Sequence, residues 1–179
     1  LPPNPQPPKY APEFAWFNSD GYVGSAKKVG LAMPKRPTHE EAIEWNGYEM
    51  RSYLDVTNRG PISDQRQIQL IHAYAACVSY VDAQIGKLLE KIDPENTIVV
   101  LWSDHGWHLG EYGAWGKMTN YELATRVPFL IAPPNSSGGR TRTIAELVDL
   151  YPTLCDLAEI DAPAHLEGES LVSVLESPS

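Results

Sequence analysis

The chain has 179 residues, of which 42% are hydrophobic and 21% charged, and its 23 acidic against 14 basic side chains give a net charge of −9. This is enough length for one domain with a real core. The acidic balance excludes a broad nucleic-acid surface, because no clustered basic face offsets it, and no stretch is apolar for long enough to cross a membrane. An anionic small substrate stays open, since one local cation can reverse the field inside a cleft.

The chain opens at Leu1 with LPPNPQPPKYAPEFAW. Pro2, Pro3, Pro5, Pro7, Pro8 and Pro12 forbid regular helix there, so residues 1–62 are expected to form a proline-rich irregular strap packed on a core built elsewhere. Trp16, Phe17, Trp45 and Tyr53 would supply the packing, and a short helix is expected between His39 and Leu54. The opening reads as mid-protein rather than as a first element, which predicts a fragment.

Residues 63–179 read as a compact region. In DQRQIQLIHAYAACVSYVDAQIGKLLEKI, apolar residues recur at three and four from Ile68 through Ile71, Ala75, Val78, Val81, Ile85 and Leu88 to Ile92. This predicts a helix capped by Ser63 or Asp64 and ended by Pro94. TIVVLW is a short β-branched run that suits a strand buried on both faces, and RVPFLIAPP is a second. Helical period returns in RTIAELVDLYPTLCDLAEI, with Pro152 in a first turn. Helix, strand, loop, strand, helix predicts an α/β layered domain with a largely parallel central sheet flanked by helices. Cys77 and Cys155 sit in no paired or zinc-type spacing and are expected to be small buried side chains. Asn135-Ser136-Ser137 has the form of a glycosylation triplet.

The stretch VVLWSDHGWHLGEYGAWGK carries the chemistry. Ligands gather beyond the carboxyl ends of strands in such sheets, and Asp104 and His105 follow the first strand directly. Asp104 offers a hard oxygen ligand for a divalent cation. The His105 imidazole can ligate a metal or donate to an anion. Gly106, Gly110, Gly113 and Gly116 allow sharp turns, and Lys117 brings back a compact positive charge. Together they suit metal-assisted attack on a tetrahedral oxyanion ester. His108 either lines the pocket or covers the loop. Glu111 is expected to bond loop amides, and Trp107 and Trp115 either wall a sugar site or pack beneath the loop.

The segment TIVVLWSDHGWHLGEYGAWGKMTNYELATRVPFLI, with HAYAACVSYVDAQIGKLLEKI before it and LVDLYPTLCDLAEI and LEGESL after it, resembles the sulfatases of the alkaline-phosphatase-like superfamily, above all the iduronate-2-sulfatase-like branch. The resemblance runs from about Pro61 to Leu175. It implies an alkaline-phosphatase-like α/β fold, with residues 63–179 as the C-terminal half of the catalytic domain. It also implies sulfuric ester hydrolysis of a sulfated carbohydrate, a 2-sulfated uronate among the candidates, by a formylglycine and Ca2+ mechanism. On this match Asp104 and His105 are the metal positions, His105 and Lys117 the catalytic ones, and Lys117 the substrate contact, with His108 a second candidate contact from its place in the loop. Imidazole is a poor donor for calcium, so His105 is open to bonding the nucleophile or the sulfate instead.

The family's nucleophile motif, Cys/Ser-x-Pro-x-Arg, occurs nowhere in the 179 residues. The chain is therefore expected to lack the N-terminal nucleophile segment, to need that half as a partner, and to be inactive alone. A phosphodiesterase or phosphonate monoester hydrolase of the same superfamily, and a non-catalytic sulfated-sugar binding module, are the alternatives. The resemblance implies an exported, periplasmic or lysosomal protein, with no nucleic-acid partner and no membrane span.

Overall fold

A computed structural model describes residues 1–4, 56, 62–117 and 119–177. The expected strap and its short helix therefore lie almost entirely outside the described residues. The chain divides into two compact units, one of Leu1–Gly86 and His105–Val127, the other of Lys87–Asp104 and Pro128–Ser179.

Helix α1 spans Asp64–Leu89. Ser63 is its cap: its Oγ accepts the Arg66 amide at 3.4 Å and its carbonyl accepts the Gln67 amide at 2.9 Å. These bonds satisfy donors that have no partner inside the first turn. After α1, Asp93 Oδ1 accepts the Glu95 amide at 3.0 Å, an Asx turn around Pro94 that keeps the helix from continuing. The apolar stripe read from the sequence is present, yet no residue of α1 is buried. Leu70 and Ile71 pack near Val56, Ile62 and Trp115, whereas Ile68, Val78 and Val81 are each more than half exposed. Cys77 is exposed too, contrary to expectation, while Cys155 is buried as expected.

In the second unit, β1 (Val99–Trp102) pairs antiparallel with β4 (Phe129–Ala132), with Trp102 opposite Phe129 and Val99 opposite Ala132. The Ser103 amide donates to Pro128 O at 3.2 Å and extends the ladder by one step. Among the described residues, no parallel pair is seen. The reason lies between the strands. A parallel connection needs a crossover, usually a helix, and residues 103–128 instead form a loop with one helical turn, α2 (Glu122–Thr125). The double-sided burial expected for TIVVLW is not seen either. Leu101 and Trp102 are exposed, as is Leu130 of β4, since the two described strands cannot by themselves cover both faces of each other.

The rest of this unit is tied down by two side chains. Helix α3 (Leu150–Leu157) follows a 3-10 turn, Leu147–Asp149, and holds Pro152 in its first turn as predicted. Asp149 accepts the Glu146 amide through Oδ2 at 2.9 Å and the Glu169 amide through Oδ1 at 3.0 Å. Thr153, fully buried, donates its hydroxyl to Asp149 O at 2.6 Å and accepts the Leu171 amide at 2.9 Å. The LEGES stretch is thereby fastened to the start of α3. Helix α4, Val172–Glu176, follows.

Candidate functional site

Asp104 is an exposed residue two positions beyond β1 in the second unit, and His105 begins the loop that belongs to the first. Each unit is a separate frame, and the geometry of the loop follows from its own bonds.

The Gly106 amide donates to Ala124 O at 2.9 Å, which lays the start of the loop against α2. A Cβ on Gly106 would meet the Leu123 carbonyl group, with 2.8 Å to its carbon. Only glycine lets the two backbones approach this closely. Next to it, His105 Nδ1 lies 2.9 Å from Gly106 O. A carbonyl oxygen can only accept, so Nδ1 carries the hydrogen in this bond. The ring stacks obliquely on Trp107, at 6.3 Å between centroids.

Strand β2 (His108–Leu109) then pairs antiparallel with β3 (Trp115–Gly116), with His108 opposite Gly116 and Leu109 opposite Trp115. The turn between them is closed by three backbone bonds, from Gly110 to Ala114 O, Gly113 to Gly110 O and Ala114 to Glu111 O, at 2.9–3.0 Å. Tyr112 adopts a φ of 58° and donates its amide to Asn4 O at 2.6 Å. Glu111 Oε2 accepts the Leu109 amide at 2.6 Å, so it does bond a loop amide as expected. Trp115 is buried with Val56 and Ile62, and Trp107 packs on that cluster. Both indoles therefore lie in packing under the loop.

Gly116 has a φ of +90°, a backbone that an L side chain rarely adopts, and it turns the chain into Lys117. Lys117 is half-buried. The Thr119 amide donates back to Lys117 O at 2.8 Å. His108 is completely buried, and its Nε2 lies 2.7 Å from Thr119 Oγ1. Its Nδ1 is buried with no hydrogen-bond partner among the described residues. Burial holds the ring below the ordinary imidazole value, while the Glu111 charge pulls the other way. The Tyr121 ring meets His108 edge-on at 6.1 Å and Tyr112 at 5.4 Å. Burial, with Tyr112 adding to it, pushes the Tyr121 phenol up.

Of the residues named from sequence, the structure thus gathers His108 and Lys117 in one hairpin. Thr119 was not singled out by the sequence. It stands eleven positions from His108, and neither strand is long enough to show an alternating pattern that would betray the pairing.

Among the described residues, no group of three or more His, Cys, Asp or Glu side chains comes together to hold a metal ion. Calcium takes six to eight oxygen ligands. One carboxylate and one imidazole fall short of that, so these residues do not make a calcium site by themselves.

The sequence profile of the sulfatase family matches residues 2–160. The chain belongs to the sulfatase family. It is 41% identical over 113 residues to a sulfatase of Formosa agariphila, a match covering 60% of this chain and 22% of that protein. It is 35% identical over 134 residues to the iduronate 2-sulfatase of Mus musculus, covering 58% of this chain and 24% of that one. The chain thus spans about a quarter of the length of these relatives. Its fold is similar to that of the phosphonate monoester hydrolase of Silicibacter pomeroyi, with a TM-score of 0.66 at 24% identity over 98% of this chain and 36% of the other. No described helix is long and apolar enough to cross a membrane.

Proposed function

We propose that this chain supplies part of the active site of a sulfatase that hydrolyses sulfate esters of a sugar. The observation that carries the reading is the family match across residues 2–160, which takes in the whole stretch from Asp104 to Lys117. The named relative acting on iduronate makes a 2-sulfated uronate the first substrate to try.

In this reading the Lys117 ammonium lies against the sulfate and offsets charge that grows on its oxygens as the ester bond breaks. His105 presents Nε2 to the reacting group or to a metal. Its Nδ1–H bond to Gly106 O supports this role, because it fixes the orientation of the ring. Asp104 contributes one carboxylate to a calcium ion whose other ligands come from elsewhere in the full-length protein. When bound, that ion supplies positive charge at the sulfate. The formylglycine nucleophile is also supplied from outside, since no Cys/Ser-x-Pro-x-Arg occurs here. A protein working in this way belongs outside the cytoplasm or in a lysosome-like compartment, as sulfated sugars are handled there.

The test is an assay of the full-length protein carrying this chain on an aryl sulfate, an aryl phosphodiester and a phenylphosphonate monoester, beside the 179-residue chain alone. Turnover of the sulfate by the full-length protein, its loss in Lys117→Ala and no turnover by the chain alone are expected. Preference for the phosphonate monoester would replace the sulfatase reading with a phosphonate hydrolase on the same fold. Sugar sulfate binding with no turnover of any ester would replace it with a binding module.

A further inference from the structure

We propose that His108 never touches substrate and is instead a positioning residue that sets the Lys117 arm. The inference rests on the reading of Lys117 as the sulfate contact. Its basis is that His108 grips the chain on both sides of that lysine. On the near side, its backbone is the register partner of Gly116. On the far side, its ring nitrogen Nε2 reaches Thr119 Oγ1 at 2.7 Å. Between these anchors the path is already narrow: Gly116 turns at a φ of +90°, and the Thr119 amide folds back onto Lys117 O at 2.8 Å. Lys117 therefore lies in a short stretch that His108 holds on both sides.

The imidazole is suited to this work by its burial. It has no accessible surface, so no substrate oxygen reaches it in this arrangement. With Nδ1 lacking a partner among the described residues, the arrangement that buries the least unsatisfied polarity has its hydrogen on Nε2, donated to Thr119. Thr119 Oγ1 also lies 3.4 Å from the Tyr121 amide and so links the bend to the start of α2. The ring is wedged by Tyr121 edge-on and by Tyr112 at 6.5 Å. A buried side chain between two tyrosine rings, with a hydrogen bond aimed at the far foot of a bend, acts as a spacer of defined length. An ammonium on a four-carbon stem has many rotamers. Fixing the backbone from which it springs narrows where the charge can sit, and misplacing a positioning group by an ångström costs rate steeply.

Two near-isosteric changes test this in the full-length protein. Thr119→Val keeps the shape and removes the hydroxyl, and His108→Phe keeps a ring between the tyrosines and removes the nitrogen. Each should lower kcat/KM on an aryl sulfate by about tenfold, the effect of one net hydrogen bond, with the larger part in KM because Lys117 already holds the sulfate of the bound ester. The double variant should be no worse than the worse single one, and Thr119→Ser should keep wild-type values. A second readout does not depend on turnover. The Lys117 amine should be acetylated by an N-hydroxysuccinimide ester faster in Thr119→Val than in wild type, by roughly threefold or more, as its bend loosens.

Wild-type KM and unchanged Lys117 labelling in Thr119→Val would overturn the proposal. So would a Thr119→Ser protein damaged as badly as Thr119→Val, since packing rather than the hydroxyl would then matter. A wild-type protein that turns over no sulfate ester would overturn the sulfatase reading instead, and the labelling ratio alone would then decide whether His108 positions the lysine.

Discussion

Gly106→Ala is the sharpest test of how the loop is seated. A methyl there would lie on the Leu123 backbone carbonyl, 2.8 Å from its carbon and 3.3 Å from Ala124 Cα. None of these is the end of a flexible side chain, so the backbone itself must move. Moving it also stretches the bond from the Gly106 amide to Ala124 O, now 2.9 Å. Overpacking costs about 1–3 kcal/mol and a lost net hydrogen bond about 1 kcal/mol. A total of about 3 kcal/mol lowers a thermal midpoint by roughly 6–12 °C in a chain of this size. Gly86→Ala, made in the same protein, is the matched control. Gly86 sits inside α1, and a methyl added to it would have nothing within 4 Å. Alanine there should stabilise by about 0.5–1 kcal/mol through chain entropy alone. The two changes add the same atom and should move the midpoint in opposite directions, by differential scanning fluorimetry. Equal shifts in the two, or a Gly106→Ala protein melting with wild type, would refute the close approach of the loop to α2.

Gly116→Ala meets no neighbour, so its cost should be that of the strained backbone alone, about 1–2 kcal/mol, again read from the thermal midpoint. Asp149→Ala removes the acceptor for the Glu146 and Glu169 amides and should cost about 2 kcal/mol, with faster hydrogen exchange at Glu169 as the specific sign. Asp104→Ala in the full-length protein should weaken calcium binding by calorimetry and nearly abolish turnover, and unchanged affinity would remove Asp104 from the metal site. His108 should make stability depend on pH. Its pKa is lowered on folding from the ordinary 6.5, so its contribution is complete above about pH 6.5. As pH falls, the unfolded chain takes up the proton first, and the contribution is lost down through the lowered folded value. His108→Gln should flatten the stability profile below about pH 6.5.

The elements were legible where a local pattern decides them. The three-and-four spacing from Ile68 to Leu88 marked α1, and the β-branched runs marked β1 and β4. Pro152 marked the first turn of α3. How the two strands run against each other was not legible in those runs, because it depends on what joins them. Residues 103–128 carry no helical period long enough for a crossover, and that signal was outweighed by the expectation attached to a continuous apolar run. Burial was misjudged for the same cause. Apolar pattern reports which face of an element wants cover, and Trp102, Leu130 and Val78 show that the pattern is present where the described residues provide none.

The loop divides differently. Its proposed chemistry came from residue types, because an acid and an imidazole just past a strand end, followed by spaced glycines and a lysine, offer a cation ligand and an anion contact close together in sequence. Its mechanics were not legible, because the contact that matters joins His108 to Thr119 across a turn with positive φ at Gly110, Tyr112 and Gly113. That turn sets the register in which Gly116 and then Lys117 follow, and all of its bonds lie within one compact unit. Asp104, by contrast, belongs to the unit that holds β1 and β4. In the proposed enzyme, then, the two residues are expected to answer to different changes. Changes at His108, Gly116 or Thr119 should act first on the affinity for the sulfate ester. Changes along β1 that shift Asp104 should act first on the affinity for calcium. A hairpin change that lowered calcium affinity as much as it raised KM would refute this expectation.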